Sequence, residues 1–356
     1  MYLYTFEKTK SNYLMKILVT GGLGYIGSHT VVELQAAGYD VVIVDNLSNT
    51  HIEVLEQIEK ISGVKPKFVK FDLSDYNACI DFFNSNNNID GIIHFAAYKA
   101  VGESVEKPLM YYRNNLDSLI NILDNMNIHN IPNLVFSSSC TVYGQPDELP
   151  VTEKAPRKTA MSPYGNTKQI AEDIISDTVY SSSIKAIALR YFNPVGAHET
   201  ALIGELPLGI PNNLMPFITQ TASGIREQLS VYGKDYNTPD GTAIRDYIHV
   251  VDLAKAHVIA VERMLTASHK KNYEVFNLGT GNGYSVLEVI KSFERVTGLK
   301  LNYKIVGRRE GDIEKVWAET SFANDELGWK AKKGIDDMTL SAWNFQQELN
   351  KENKSI

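Results

Sequence analysis

Tyr164 and Lys168 stand four residues apart in Ser162-Pro163-Tyr164-Gly165-Asn166-Thr167-Lys168, a stretch that opens a helix with Ser162 as cap and Pro163 in the first turn. At that spacing the two side chains leave the same helix face, one above the other. A phenol beside an ammonium group can take the proton of an alcohol whose carbon gives up a hydride. A free tyrosine has a pKa of about 10, so such a base needs its pKa lowered by about 3 units, roughly 4 kcal/mol of selective stabilisation of the phenolate. One cation about 4 Å away, at an effective dielectric of about 20, supplies that much. By itself the pair also describes a surface Tyr/Lys contact, and Y-x-x-x-K recurs by chance. Its placement singles it out, because the run Ser137-Ser138-Ser139 closes the preceding strand pattern and Ser139 could hold the alcohol.

A second stretch supplies the partner for that chemistry. The apolar run Lys16-Ile17-Leu18-Val19 passes through Thr20 into Gly21-x-x-Gly24-x-x-Gly27 and on into a helical pattern through Ile26, Val31 and Leu34. Residues without a Cβ let backbone N–H groups approach a pyrophosphate at the positive end of the helix. A glycine triplet alone also fits an ordinary tight turn. Here a second strand, Tyr39 to Val44, ends in Asp45, close to the ~20-residue interval at which an acid meets the adenosine ribose. Asp45 would repel a 2′-phosphate and Asn46-Leu47-Ser48-Asn49 offers no arginine to attract one, so NAD is expected over NADP. An oxidised nicotinamide ring would place a second positive charge beside Tyr164.

The elements that must position these residues alternate. Strand patterns at Lys67 to Phe71, Gly91 to Ala97 and Asn133 to Ser137 are separated by helical patterns at Ile52 to Ile61, Tyr76 to Phe83 and Pro108 to about Met126. Alternation of this kind predicts an α/β fold, a Rossmann-type doubly wound parallel sheet. Ligands of such a sheet collect at the carboxyl ends of its strands, so Gly21 to Gly27, Asp45, Asp72, Phe95 to Lys99 and Ser137 to Thr141 should share one crevice. Asp72 reads equally as a helix cap or as a contact to adenine. After Arg190 the alternation gives way to loops with Pro194, Pro207, Pro211, Pro216 and Pro239, as expected of a smaller lobe folded over a ligand. The expected division is an extension at 1–14, an NAD-binding part at 15–192 and a partly interleaved C-terminal substrate-binding lobe at 193–356, with segments such as Val275 to Leu278 returning to regular structure.

Composition narrows the partners. The 356 residues are 44% apolar and 22% charged, and 35 basic against 42 acidic residues give a net charge of −7. Without a basic run, neither nucleic acid nor an anionic membrane is an expected partner. The two cysteines, Cys79 and Cys140, are too few for a disulfide framework, which favours a reducing, cytoplasmic compartment. No apolar run approaches the ~18 residues of a membrane span. Residues 1–14 lack the apolar region of a signal peptide, and no His/Cys/Asp cluster has metal spacing, so no metal is expected.

Longer runs carry a resemblance. Gly21 to His29, Lys99 to Val105, Ser137 to Gly144, Arg190 to His198, Pro211 to Pro216, Arg245 to Val250 and Arg308 to Asp312 together resemble the UDP-galactose (UDP-glucose) 4-epimerase family of extended short-chain dehydrogenases/reductases, over Met15 to about Trp343. The resemblance implies that Tyr164 removes the sugar O4 proton while hydride passes from C4 to tightly held NAD, that the 4-keto sugar turns in the pocket, and that hydride returns to its other face. Lys168 and Ser139 would complete the catalytic set. The cofactor would meet Gly21, Gly24, Tyr25, Ile26, Gly27, Asp45, Asn46, Asp72, Leu73, Phe95, Ala96, Lys99, Asn114, Ser137, Tyr164, Lys168 and Tyr191, although a capping role for Asn114 stands beside that reading. The UDP-sugar would meet Lys99, Ser139, Tyr164, Asn193, Asn213, Leu214, Tyr232, Arg245, Arg309, Asp312 and Val316. On composition alone Arg245 would pair with Asp246, and Arg309 with Glu310, on a solvated surface; the resemblance assigns both arginines to the diphosphate. His29, His94 and His249 are read as structural.

Three further expectations follow from the resemblance. Members confined to UDP-glucose and UDP-galactose often have tyrosine where Val316 stands, so the smaller valine is expected to admit UDP-GlcNAc and UDP-GalNAc. A homodimer is expected through the helices near 108–126 and 163–180. The nearest rival, a nucleotide-sugar 4,6-dehydratase, places Asp-Glu after the serine or threonine where this chain has Cys140-Thr141. A non-catalytic NAD-binding regulatory protein is the rival from another class, and such proteins usually lose the tyrosine or lysine kept here.

Overall fold

The alternation of strand and helix is realised in the computed structural model of the chain, which describes residues 14–309 and 313–352. It runs through β1 (Lys16–Thr20), α1 (Tyr25–Ala36), β2 (Asp40–Asp45), α2 (Val54–Ser62), β3 (Lys67–Lys70), α3 (Tyr76–Ser85) and β4 (Gly91–His94). The short helices α4 (Val101–Glu106) and α5 (Pro108–Tyr112) pass through a π-helical turn, Arg113–Asp117, into α6 (Ser118–Ile128). Then come β5 (Asn133–Ser139), a 3-10 turn at Cys140–Tyr143, α7 (Pro163–Ser181) and β6 (Lys185–Tyr191). The remainder comprises β7 (Asn193–Val195), α8 (Leu214–Ala222), β8 (Leu229–Tyr232), β9 (Ile244–His249), α9 (Val250–Leu265) and β10 (Tyr273–Leu278). It ends with β11 (Gly283–Ser285), α10 (Val286–Thr297), β12 (Tyr303–Val306), β13 (Lys315–Val316), a π-helical turn at Ala323–Leu327 and α11 (Ile335–Glu352).

Seven parallel strands form the main sheet in the order β10-β6-β5-β4-β1-β2-β3. A strand covered on both faces must be apolar at every position, and the two sets of side chains divide cleanly. Ile17, Val19, Val41, Ile43, Ile93, Val135, Ile187 and Leu189 face one core with residues of α1 and α9. Leu18, Val42, Val44, Ile92, Leu134, Phe136, Ala186 and Ala188 face the other, against α3, α6 and α7. The order reverses between β1 and β4, so a crevice opens there at the carboxyl ends, where such sheets bind ligands.

The chain returns to this sheet late. β10 pairs with β6 from Tyr273↔Ala186 to Leu278↔Tyr191, and Leu253, Ala256, Ala260 and Val261 of α9 fill the first core. Smaller sheets, β11-β9-β13 with β7 beside β9, and β12 with β8, stand beyond them around a third core that includes Val195, Ile218, Tyr247 and Phe293. The helical pattern expected to be continuous from Pro108 to Met126 is broken by the π turn. Asn115 in that turn accepts from Tyr98 N at 2.8 Å and donates to Tyr98 O at 3.0 Å and Thr167 Oγ1 at 3.1 Å, tying the loop after β4 to α7.

One buried charge pair fixes α7 on the sheet. Glu172 Oε1 accepts from Arg190 Nε at 2.8 Å and Ser138 Oγ at 2.5 Å, and Oε2 accepts from Arg190 Nη2 at 2.5 Å. Both side chains are under a tenth exposed, at 3% and 7%. Arg190 also donates to Tyr143 Oη at 3.0 Å, which donates to Asn277 Oδ1 at 2.6 Å, so β5, β6, β10 and α7 share one network. Glu172→Ala should cost about 3–5 kcal/mol in denaturant unfolding, because it strands a buried guanidinium. Removing the exposed partner of Asp147 by Lys158→Ala should cost under about 1 kcal/mol in the same titration.

Candidate active site

Ser162 Oγ accepts from Gly165 N at 3.1 Å, capping α7 as its sequence requires, and Pro163 occupies the first turn. From that start Tyr164 and Lys168 reach the end of β5. Lys168 Nζ donates to Ser137 O at 2.6 Å and lies 4.8 Å from the centre of the Phe136 ring. Ser139 closes β5 opposite Tyr191 of β6, and Ser137 Oγ is in short contact with Tyr191 Oη.

The electrostatics differ from the simple expectation. Burial pushes the Tyr164 phenol up to about 12, with the Ser139 hydroxyl pulling it back. Burial also holds Lys168 down, at about 8, against the opposing pull of Glu172. Lowering of Tyr164 by Lys168, expected from a charge about 4 Å away, is therefore absent from the protein groups alone. The ammonium is spent on a strand carbonyl, and desolvation of the phenol outweighs what remains.

The glycine turn leaves no room for side chains at two of its positions. Gly21 has φ +67°, its N–H donates to Val44 O at 2.7 Å, and an added Cβ would lie 2.8 Å from Ala96 N. A Cβ on Gly27 would collide with Gly21 O, so the first turn of α1 closes on the strand only with glycine there. Asp45, 6% exposed, is held at the end of β2 by Leu23 N at 3.2 Å and Leu47 N at 2.9 Å. Asn46 Nδ2 donates to Asp72 Oδ2 at 3.1 Å. Of the two readings of Asp72, the helix cap is overturned: Asp75 caps α3 by accepting from Ala78 N, whereas Asp72 accepts from Ser74 N at 2.9 Å in the turn before it. A cleft of about 410 Å³ runs past Asp72, Ser74, Tyr98, Arg113 and Asn114. Asn114 Nδ2 donates to Asn115 Oδ1 at 2.9 Å, so this residue both lines the cleft and bonds within its turn.

The other residues expected at the cofactor are held by contacts within the protein. Tyr25 Oη donates to Gly196 O at 2.7 Å, Ile26 packs on the first core, and Phe95 lies 4.6 Å from the His257 ring. Ala96 N donates to Thr20 Oγ1 at 3.5 Å, and Leu73 O accepts from Asn121 Nδ2 at 2.8 Å. Lys99 Nζ stands 5.8 Å from the centre of the Tyr25 ring. His29, His94 and His249 are bonded to Tyr25 O, Thr20 Oγ1 and Val251 N, and burial lowers all three pKa values, which fits their structural reading.

On the opposite side, Asn193 begins β7 in register with Tyr247 of β9, and Arg245 of β9 is level with Val316 of β13. The surface pairing of Arg245 with Asp246 is overturned. Asp246 is fully buried and accepts from Thr280 N at 2.8 Å, Thr280 Oγ1 at 2.7 Å, Gly281 N at 3.1 Å and Ala318 N at 3.1 Å. It thereby pins the strand that carries Val316. Val316 is 4% exposed among Val142, Tyr143, Phe192 and Ala318, with Cys140 against them. The Arg309 guanidinium lies 5.6 Å from the Tyr232 ring centre, and Tyr232 is itself 43% exposed. Leu214 opens α8 against the third core, and Asn213 Nδ2 donates to Glu205 Oε1 at 2.5 Å. Asp312, with Glu310, lies outside the described residues.

Glu205 and Asn115 are not singled out in the sequence, and Asp246 enters there only as a surface partner of Arg245. Glu205 sits in an aperiodic loop without a motif of its own, and Asn115 is legible only as the neighbour of Asn114. Among the described residues no group of three His, Cys, Asp or Glu could hold a metal, and no helix is long and apolar enough to cross a membrane. Gly27→Ala should give folded protein that has lost co-purifying dinucleotide, read as the nucleotide content of the heat-denatured sample; wild-type content would refute the cradle.

Comparison with known proteins agrees with this geometry. The family model described as GDP-mannose 4,6 dehydratase matches residues 18–341. The UDP-glucose 4-epimerase of Yersinia enterocolitica is 50% identical over 334 residues, 94% of this chain and 98% of that one. The crystal structure of the UDP-glucose 4-epimerase of Bifidobacterium longum in complex with NAD+ and UDP superposes with a TM-score of 0.90 at 49% identity, covering 94% of this chain and 98% of that chain. That of Stenotrophomonas maltophila, with bound NAD and formylated UDP-arabinopyranose, gives 0.91 at 47% identity, covering 95% and 99%. With half its residues shared across nearly its whole length, this chain belongs to the UDP-glucose 4-epimerase family, within the larger group that the dehydratase model describes.

Proposed function

We propose that Tyr164, Lys168 and Ser139 carry the reaction of this family in this chain, the interconversion of UDP-glucose and UDP-galactose at C4. The observation that carries the assignment is the docking of the Tyr164–Lys168 face of α7 at the end of β5, beside Ser139 and level with the glycine turn after β1. NAD, when bound, supplies the acceptor and then the donor of the C4 hydrogen. Ser139 holds the O4 hydroxyl, and Tyr164 Oη takes its proton as the C4–O4 bond becomes a carbonyl. The same Oη returns the proton after the sugar has presented its other face, so the protein ends each turnover as it began. Burial holds the phenol up with Lys168 already on the same helix face, so an oxidised nicotinamide, when bound, would supply the further positive charge that favours the phenolate.

Inversion at C4 requires a sugar free to turn on a fixed tether. Arg245 and Arg309 suit the diphosphate as planar bidentate donors. Asn193, Asn213 and Leu214 border the sugar nucleotide, and Tyr232 receives uracil. Dehydration would need an acid and a base after Ser139, but burial pushes the Cys140 thiol up to about 12 and Thr141 has no titratable group. The regulatory reading is disfavoured by the retention of tyrosine, lysine and serine in one site.

Val316 extends the substrate range. Val316 stands level with Arg245 and carries a smaller side chain than the tyrosine of narrow-specificity members, which suits a site that takes the acetamido group of UDP-GlcNAc and UDP-GalNAc. The chain works in the cytoplasm, where its two free thiols, Cys79 and Cys140, stay reduced. It forms a homodimer through the helices near 108–126 and 163–180, a reading supported by Ile120, 40% exposed, and Tyr180, 95% exposed, on those helices.

Purified protein should convert UDP-galactose to UDP-glucose without added NAD. Tyr164→Phe should retain NAD while turnover drops about 10²–10⁴-fold; substantial residual turnover would exclude this phenol as the base. Val316→Tyr should abolish turnover of the N-acetylated pair and spare that of UDP-galactose, and equal effects on both would remove the specificity role.

A further inference from the structure

Glu205 stands in the loop between β7 and α8, and its Oε1 accepts from two donors of different origin. Lys99 Nζ, from the loop after β4, lies 3.4 Å away, and Asn213 Nδ2, from the cap of α8, lies 2.5 Å away. The carboxylate is 11% exposed where the ammonium is 52% exposed, and Oε2 is buried without a hydrogen-bond partner among the described residues. Native proteins keep few buried polar atoms in that condition, and each calls for an explanation.

The loop that presents Glu205 is fastened along its length. Gly196 O accepts from Tyr25 Oη at 2.7 Å, Ala197 N donates to Ser341 Oγ at 3.1 Å, and His198 N donates to Ile203 O at 3.0 Å. Gly204 lies so close to the Phe345 ring that a Cβ there would collide with it. Lys99, by contrast, has a long half-exposed side chain whose ammonium stands over Tyr25 of the glycine turn. A fixed anion therefore decides where a mobile cation sits.

We propose that Glu205 is a positioning residue for the reaction, holding Lys99 over the dinucleotide turn and Asn213 at the mouth of α8 with one carboxylate oxygen. Cofactor-side and sugar-nucleotide-side contacts are then set by a single anion that touches neither ligand's reacting atoms. The inference rests on the assignment of Lys99 and Asn213 made under the proposed function. Glu205→Gln retains the shape and removes the charge, so it frees Lys99.

The test uses the holoenzyme with bound NAD. Glu205→Gln, Lys99→Met and the double variant are compared for kcat and KM with UDP-galactose, for the rate at which bound NAD exchanges with labelled NAD, and for thermal midpoint. Glu205→Gln should lower kcat and speed NAD exchange by about fivefold or more, with little change in midpoint. The double variant should exchange no faster than Lys99→Met alone, because Glu205 acts on the cofactor through that lysine. Additive effects on exchange, or wild-type exchange in Glu205→Gln, overturn the inference. So does a loss of kcat that merely follows a fall in thermal midpoint. A wild-type enzyme that exchanges NAD but leaves UDP-galactose unchanged would instead defeat the proposed reaction, with the exchange data still deciding the role of Glu205.

Discussion

The site depends on a buried anion that never meets the substrate. Glu172 lies one helical turn beyond Lys168 on α7 and is bound by Arg190 of β6 and Ser138 of β5. Those bonds fix the azimuth and depth of the helix, and with them the positions of Tyr164 and Lys168. A charge pair this deep contributes little net stability over an apolar pair of the same volume, since desolvation offsets most of the attraction. What it supplies is a single alignment. Apolar packing in the second core would tolerate small rotations of α7, whereas a bidentate guanidinium–carboxylate contact does not.

The same burial sets the chemistry. The environment that excludes water around Tyr164 raises its pKa and lowers that of Lys168, each towards the uncharged form. Burial by itself therefore disfavours the phenolate and the ammonium alike. Asp246 plays a comparable part at the other wall: buried and fully engaged by Thr280, Gly281 and Ala318, it holds the edge strand that shapes the pocket.

Much of this was legible in the residues. The glycine spacing, Asp45 and the strand–helix alternation specified the parallel sheet, because each follows from backbone geometry that few residue types satisfy. The capped start of α7 and its Tyr164–Lys168 pair were readable for the same reason. The break in the helix after Tyr112 was not, because a π turn arises from the pull of Asn115 on Tyr98 and Thr167, contacts made by residues distant in sequence. Asp72 and Asp75 are three apart and both suited to capping, so only the backbone path distinguishes them. The solvated pairing of Arg245 with Asp246 failed because adjacent residues of a strand point to opposite faces. Glu205 lay in a loop of no regular period, where sequence carries no directional information.

The late return of the chain has a consequence for biosynthesis. Strand β10, ending at Leu278, borders β6 in the main sheet, and α9 completes the core on which α1 rests. A nascent polypeptide leaving the ribosome therefore cannot finish its seven-stranded sheet once Tyr191 has emerged; it must await nearly ninety further residues, including β7, α8 and β9. The sheet and the segments that follow Tyr191 consequently mature together, and a fragment ending at Tyr191 would expose the β6 edge to intermolecular pairing.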